Sequence, residues 1–423
     1  MQEDSKMLVV RGRVIDGNGG VPLEKGLVAI EGDRIIAVCN AWEYQIPPGS
    51  RIIEINNGTI MPGMVEMHVH LGLSSNFYEV YTTHPYRIVC TAVRDMGRIL
   101  SCGFTTMREC GGLSNFLKPA QEDGSIDGPR IFSAGKCVVQ TGGHFDFIKE
   151  YPVEYAKHHD RNVISTIGDG ITTARKIART QFREGADFIK LMITPGVVSQ
   201  SGKFMSQEFS DAEIKTFVEE AEKYGTYVAA HAHANAGIKA ALRCGVQSLE
   251  HGTFLEEDDV EEMLKKGTWL VPTLATGYRF MQNLDKLQPW IQEKEKFANA
   301  AGIRSAKLAY KAGIPIGVGA DFGGDDICLH GLNGLELQLL TEKVGMTPME
   351  AIVAATKVGA KMIMREDQIG TLEPGKLADV IVVEGNPLAD IRTLVGPDHI
   401  PVVIQGGKIK KDTTSKNRRR VQQ

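Results

Sequence analysis

Residues 61–72 read MPGMVEMHVHLG, with His68 and His70 closing an apolar run. On a β-strand, residues i and i+2 share a face, so both imidazoles project together while Val69 points away. Neutral imidazole is the commonest metal ligand, and two converging on one point suit a divalent ion. Taken alone, the pair is equally compatible with ordinary core or surface histidines. Groups of matching chemistry follow: Lys190 in DFIKLMITPG, His231 and His233 in YVAAHAHA, His251 in SLEHGTF and Asp321 in GVGADFGG. Apolar neighbours on both sides of Lys190 argue for burial, and desolvation favours the neutral amine of a lysine. A neutral amine can capture carbon dioxide as a carbamate, an anion able to bridge two cations. Spacing alone leaves His231 and His233 equivalent as ligands. Asp321 ends an apolar strand and opens a glycine-rich loop. There it could cap a helix or, facing a metal, act as ligand and general base.

These residues need elements that bring them together. Eight candidate strands run through the middle of the chain: the run ending at His70, then 104–109, 130–135, 187–193, 227–233, 248–252, 269–274 and 315–321. Helical stretches separate most of them. The clearest is SDAEIKTFVEEAEKYG, where Ser210 and Glu213 form a capping box and Gly225 stops the helix. Strands alternating with helices predict a parallel sheet, and eight such units match a (β/α)8 TIM barrel. A doubly wound open sheet is the alternative, but no GxGxxG follows the first strand. In a barrel, chemistry sits at the C-terminal ends of the strands. His68, His70, Lys190, His231, His251 and Asp321 all fall there.

Both ends of the chain have another character. MLVVRGRVID, GLVAIEGDRIIAV and SRIIEINNGTI near the start, and ADVIVVEG and VVIQGGKIKK near the end, are β-branched runs separated by turn residues. The predicted organisation is a composite β-sandwich from residues 1–60 plus 365–423, with the α/β barrel over 61–364 inserted. A net charge of −4 argues against a nucleic-acid-binding surface. The one basic run, KNRRR at 416–420, reads as a solvated tail. Seven scattered cysteines without a CxxC pair fit reduced thiols rather than a disulfide framework. The start MQEDSK lacks a signal-like pattern, and no apolar run nears 18 residues. The expectation is a cytoplasmic protein, a homo-oligomer, whose partner is a small-molecule substrate rather than a membrane or nucleic acid.

The motifs PGMVEMHVHLG, FIKLMITPG, AAHAHA, SLEHGT, GVGADFGG and GTLEPGKLADVIVVEGNPLADI, taken in order, resemble the amidohydrolase superfamily of metal-dependent hydrolases. The resemblance implies a (β/α)8 barrel with a composite β-sandwich and a centre of two divalent ions, usually zinc. It places one ion on His68, His70 and Asp321 and the other on His231 and His251, with a carboxylated Lys190 and a hydroxide bridging them. On this reading His233 is a core histidine, and Asp321 shuttles the proton from the hydroxide to the leaving amine.

Deaminases of the superfamily carry a glutamate three residues after the strand-5 histidine, where this chain has Ala234, and they lack the bridging lysine. Imidazolonepropionases typically continue from strand 5 with HAD, which is absent here. With TTMRECGG and VVQTGGHFD, the pattern is most similar to the imidazolonepropionase-like branch that contains Xaa-Pro dipeptidases. The expected substrate is a dipeptide or N-acyl amino acid, with a cyclic amide as the alternative. A deaminase fits less well because Ala234 stands in place of the glutamate and Lys190 is present, and a scaffold without activity fits less well because all six ligand positions are filled. A free substrate carboxylate calls for a bidentate arginine, and Arg108 and Arg279 are the candidates. His144 and Tyr227 are candidate donors to the carbonyl or the developing oxyanion.

Overall fold

A computed structural model describes residues 7–73, 83–146, 163–200 and 203–414; the basic run 416–420 lies outside them. Strands from both ends of the chain form one seven-stranded sheet. Its spatial order is Lys408–Asp412, Val402–Gln405, Val380–Glu384, Arg51–Pro62, Leu8–Val14, Leu23–Glu31, Arg34–Asn40. Alternation along these strands serves two apolar clusters. Val10, Val28, Ile60, Val380 and Val402 fill one, while Val9, Leu27 and Ala29 fill another. The strand Arg51–Pro62 runs through Gly63 directly into the first barrel strand, Met64–Val69. A Cβ on Gly63 would lie 2.2 Å from Thr105 Oγ1, so the close approach of the two chains requires glycine here.

The middle of the chain is a (β/α)8 barrel. Met64–Val69, Phe104–Glu109 and Arg130–Ser133 pair in parallel, as do Ile189–Met192, Val228–Ala232, Ser248–His251 and Trp269–Val271. The third barrel position is divided. Arg130–Ser133 pairs with the second strand, and after a turn at Gly135 (φ +65°) Cys137–Val139 pairs with the fourth. Cys137–Val139 also pairs with Ser165–Ile167, a strand that the sequence reading did not anticipate. The eighth position, 315–321, closes the ring without forming a regular ladder. Ile316 bridges Leu270 and Phe322 bridges Val69, while Met67 N–H donates to Val318 O at 2.8 Å and Asp321 N–H to His68 O at 2.7 Å. Glycines 317 and 319 weaken its strand character. Gly319 is needed all the same, because a Cβ there would lie 2.8 Å from His68 Cβ.

The helix Asp211–Lys223 begins with the expected Ser210–Glu213 capping box. All seven cysteines are free. Among the described residues, no helix is long and apolar enough to cross a membrane.

Candidate active site

His68, Lys190, His231, His251 and Asp321 converge where the barrel strands end, with His70 one residue beyond its strand. His70 Nδ1 lies 2.8 Å from Gly111 O. A carbonyl only accepts, so Nδ1 donates to it and the ring is turned with Nε2 away from Gly111. His68 is oriented in the same way by Glu250 Oε2, 2.7 Å from its Nδ1. Both Nε2 atoms then face Asp321 Oδ1, at 3.5 Å for His68 and 3.3 Å for His70. Lys190 is fully buried, with Nζ 3.3 Å from His68 Nε2.

The other half of the cluster is made of packed imidazoles. The His231 ring lies 4.4 Å from His251, 4.5 Å from His233 and 4.3 Å from His144. Ligand-type atoms of His231, His233 and His251 lie within 4.8 Å of one another, as do those of His68, His251 and Asp321. Threonines set two of the rings: Thr273 Oγ1 lies 2.7 Å from His251 Nδ1 and Thr253 Oγ1 lies 2.7 Å from His233 Nδ1. His251, Thr273 and Asp321 all have left-handed backbones, with φ of 71°, 53° and 55°. Such strain in non-glycine residues persists only where surrounding structure imposes it, and it clusters at functional sites.

Burial, followed by the charge of Lys190, lowers the His68 pKa to about 4. Burial and neighbouring imidazoles hold His144, His231 and His251 well below the ordinary value. At neutral pH these rings are therefore neutral, with lone pairs free. Burial acts to raise the Asp321 pKa, but His68, His70 and Lys190 outweigh it and keep the carboxyl below its usual range. His231 Nε2 is buried without a hydrogen-bond partner among the described residues. An orphaned imidazole nitrogen beside other neutral imidazoles, a carboxylate and a lysine is a donor set suited to divalent cations.

His144 lines the same pocket, and its backbone N–H donates to Glu208 at 3.0 Å. Its Nδ1 has no partner among the described residues. His233, read from the sequence as a core histidine, also lines the pocket.

The structure places three of the expected substrate contacts outside the pocket lining. Arg108 lies inside the barrel beneath the histidines, fully buried, with Nη2 2.7 Å from both oxygens of Glu250 and Nε 2.6 Å from Met67 O. Its charge is already neutralised there. Tyr227 enters the fifth strand from the opposite end of the barrel; its hydroxyl lies 3.4 Å from Arg108 Nη1 and its ring packs against Phe188 and Trp269. Arg279 braces a neighbouring loop by donating to Ile327 O at 2.7 Å. None of the three lines the pocket.

The sequence reading passed over Glu250 and Glu66. Glu66 Oε1 accepts from the His68 and Ala320 amides, both at 3.0 Å, tying the first barrel segment to the eighth. The signal was present in the first strand, where Glu66, His68 and His70 share one parity.

A parallel barrel with imidazoles, a lysine and an aspartate at its strand ends defines a hydrolase of the amidohydrolase class. Residues 59–410 match the Amidohydrolase family, and the chain belongs to it. Ochratoxinase from Aspergillus niger is 33% identical over 430 residues, covering 97% of this chain and 88% of that protein. A prolidase crystallised with N-methylphosphonate-L-proline superposes with a TM-score of 0.89 at 31% identity, covering 96% of this chain and 100% of that one. A Xaa-Pro dipeptidase with bound methionine gives a TM-score of 0.87 at 30% identity, covering 96% and 100%.

Proposed function

We propose that the protein is a binuclear metal-dependent dipeptidase that hydrolyses the amide bond of Xaa-Pro or similar dipeptides. The carrying observation is the convergence of His68, His70, Lys190, His231, His251 and Asp321 on one pocket, in a fold shared with a prolidase. His68, His70 and Asp321 would hold one ion and His231 and His251 the other, with Lys190, as its carbamate, serving both. Such ions, zinc in our reading, would polarise the scissile carbonyl and make water a competent nucleophile at neutral pH.

The remaining work belongs to the chain. Asp321, ionised at neutral pH, takes the proton of the attacking water at Oδ2 and delivers it to the departing nitrogen. His144, whose Nδ1 lacks a partner among the described residues, donates to the oxygen that gains charge. With Arg108 and Arg279 engaged elsewhere, His233 is the donor we assign to the substrate carboxylate. The apolar wall formed by Val197, Val198, Leu274 and Phe280 excludes water from the reacting amide.

Metal-loaded protein assayed against Xaa-Pro dipeptides and their C-terminal amides tests this reading. The free acids should be cleaved, and the amides should be poorer by roughly two orders of magnitude, the cost of losing a charge-assisted contact. Elemental analysis should find close to two divalent ions per chain. Equal turnover of acids and amides, or activity confined to cyclic amides, would sink the dipeptidase reading. Because the Aspergillus relative is an ochratoxinase, ochratoxin is the second substrate to assay.

A further inference from the structure

Beyond the histidines, Lys190 and Asp321, the pocket lining includes a further buried carboxyl. Glu295, on the helix Pro289–Ala312, lines the pocket and is only 4% exposed. The one hydrogen bond to its carboxyl among the described residues is a long 3.4 Å contact from Asn299 Nδ2, one helical turn on. It has no ion pair among the described residues. The adjacent Lys294 turns elsewhere, its Nζ bonded to carbonyls of Gly196 and Ser199. The pocket lining also includes Gly277, Phe280, Ala298, Asn299 and Gly302. A Cβ on Gly277 would lie 2.8 Å from Glu295 Oε1, so the carboxyl rests directly against backbone. A second acid, Asp325, shares the pocket, while no arginine lines it among the described residues.

A nearly uncompensated carboxyl in an apolar wall is costly to ionise, and burial raises its pKa to about 7. A ligand that brings a cation would remove that cost and gain a charge-assisted hydrogen bond. A neutral acyl group would leave the carboxyl without a counter-charge.

We propose that Glu295 is a specificity-determining residue that receives a cationic nitrogen carried by the acyl half of the substrate. This deepens the dipeptidase reading and rests on it for the identity of the bond cleaved. The nitrogen has two sources in a dipeptide, the α-ammonium or a basic side chain. An N-acyl amino acid with a neutral acyl group has neither, so the proposal separates the two substrate classes that the sequence left together.

Two pairs of substrates distinguish the sources. Leucyl-proline against N-acetyl-leucyl-proline reads the α-ammonium, and N-acetyl-lysyl-proline against N-acetyl-norleucyl-proline reads the side chain. In the wild type, one pair should favour its cationic member at least tenfold in kcat/KM. Glu295→Gln should abolish that preference while leaving kcat/KM for the neutral member within about threefold, since a hydrogen bond to a charged group is worth about a factor of ten or more. A binding measurement stands apart from turnover: calorimetry with isopentylamine against isopentanol should show binding of the amine to wild type and its loss in Glu295→Gln. Amine binding with no peptide cleaved would keep this inference and discard the dipeptidase reading. Peptide cleavage without a cation preference in either pair would overturn the inference and leave the dipeptidase reading standing. If Glu295→Gln does not fold, as judged by thermal melting, the wild-type preferences decide alone.

Discussion

His68 Nδ1 and Glu250 Oε2 lie 2.7 Å apart, and the same carboxylate lies 2.7 Å from Arg108 Nη2. Burial acts to raise the Glu250 pKa, but Arg108 and His68 outweigh it and hold the carboxyl well below its ordinary value. Glu250 is therefore an anion that fixes the His68 ring and directs Nε2 to the pocket. Carboxylates behind ligand histidines typically contribute 10–100-fold in metal affinity. Glu250→Gln should retain divalent metal about that much less tightly through dialysis. It also strands Arg108 as a buried charge, which should cost about 3–5 kcal/mol in chemical denaturation. Adding Arg108→Met should recover much of the stability but none of the metal retention. Full metal retention in either variant would reduce Glu250 to a structural partner of Arg108.

Lys190 tests the carbamate. Lys190→Ala removes the group that would serve both ions, so metal content and activity should fall together, and short carboxylic acids should restore part of the activity. Lys190→Arg should fail as well, because a guanidinium stays charged and does not form a carbamate. Circular dichroism and elemental analysis separate loss of fold from loss of metal. An active, metal-replete Lys190→Ala protein would make Lys190 a packing residue.

The chemistry at the strand ends was legible because it is local. His68 and His70 announce themselves by two-residue spacing on an apolar strand, and Lys190 by its apolar neighbours. Glu250 was not, since its partners are distant in sequence: Arg108 is 142 residues away and His68 is 182. No window of sequence pairs an arginine on the second strand with a glutamate on the sixth. That distance is also why Arg108 read as a free cation. The divided third strand escaped notice because 130–135 satisfies a strand pattern alone, while the turn at Gly135 that moves the pairing to Cys137–Val139 is decided by the barrel. His251 carries the weakest local signal of the set. Its left-handed backbone is imposed by packing, and the sequence supported it only as one member of the set.

In the proposed reaction, proton transfer rests on Asp321. Asp321→Asn keeps the size but removes a basic carboxylate, and general acid–base catalysis is worth about 10²–10⁴-fold. The variant should lose at least about 10²-fold in kcat while melting close to wild type. Because the carboxyl is held below the usual aspartate value of 3.8, the wild-type rate should lose this group only below about pH 4, as the carboxylate protonates, and that limb should be missing from the residual activity of the variant. A kcat within about threefold of wild type would remove Asp321 from the mechanism.

Glu336 supplies a prediction about pH. Its oxygens accept from the Leu274 and Ala275 amides at 3.1 and 2.7 Å, directly after Thr273, whose hydroxyl positions His251. Burial raises its pKa from the ordinary 4.5 to about 8. A raised carboxyl binds its proton more tightly folded than unfolded. Its contribution to stability is therefore fully present below about pH 4.5 and is lost progressively as pH climbs towards 8. Glu336→Gln has no proton to lose. In metal-free protein, the stability advantage of wild type over Glu336→Gln should shrink by on the order of 4 kcal/mol between pH 5 and pH 9. Thermal or urea melts at those two pH values read the difference directly. An advantage that stays constant or grows with pH would mean that Glu336 is ionised throughout, paired with the helix amides as a carboxylate, and the Thr273 turn would then owe its position to that charge.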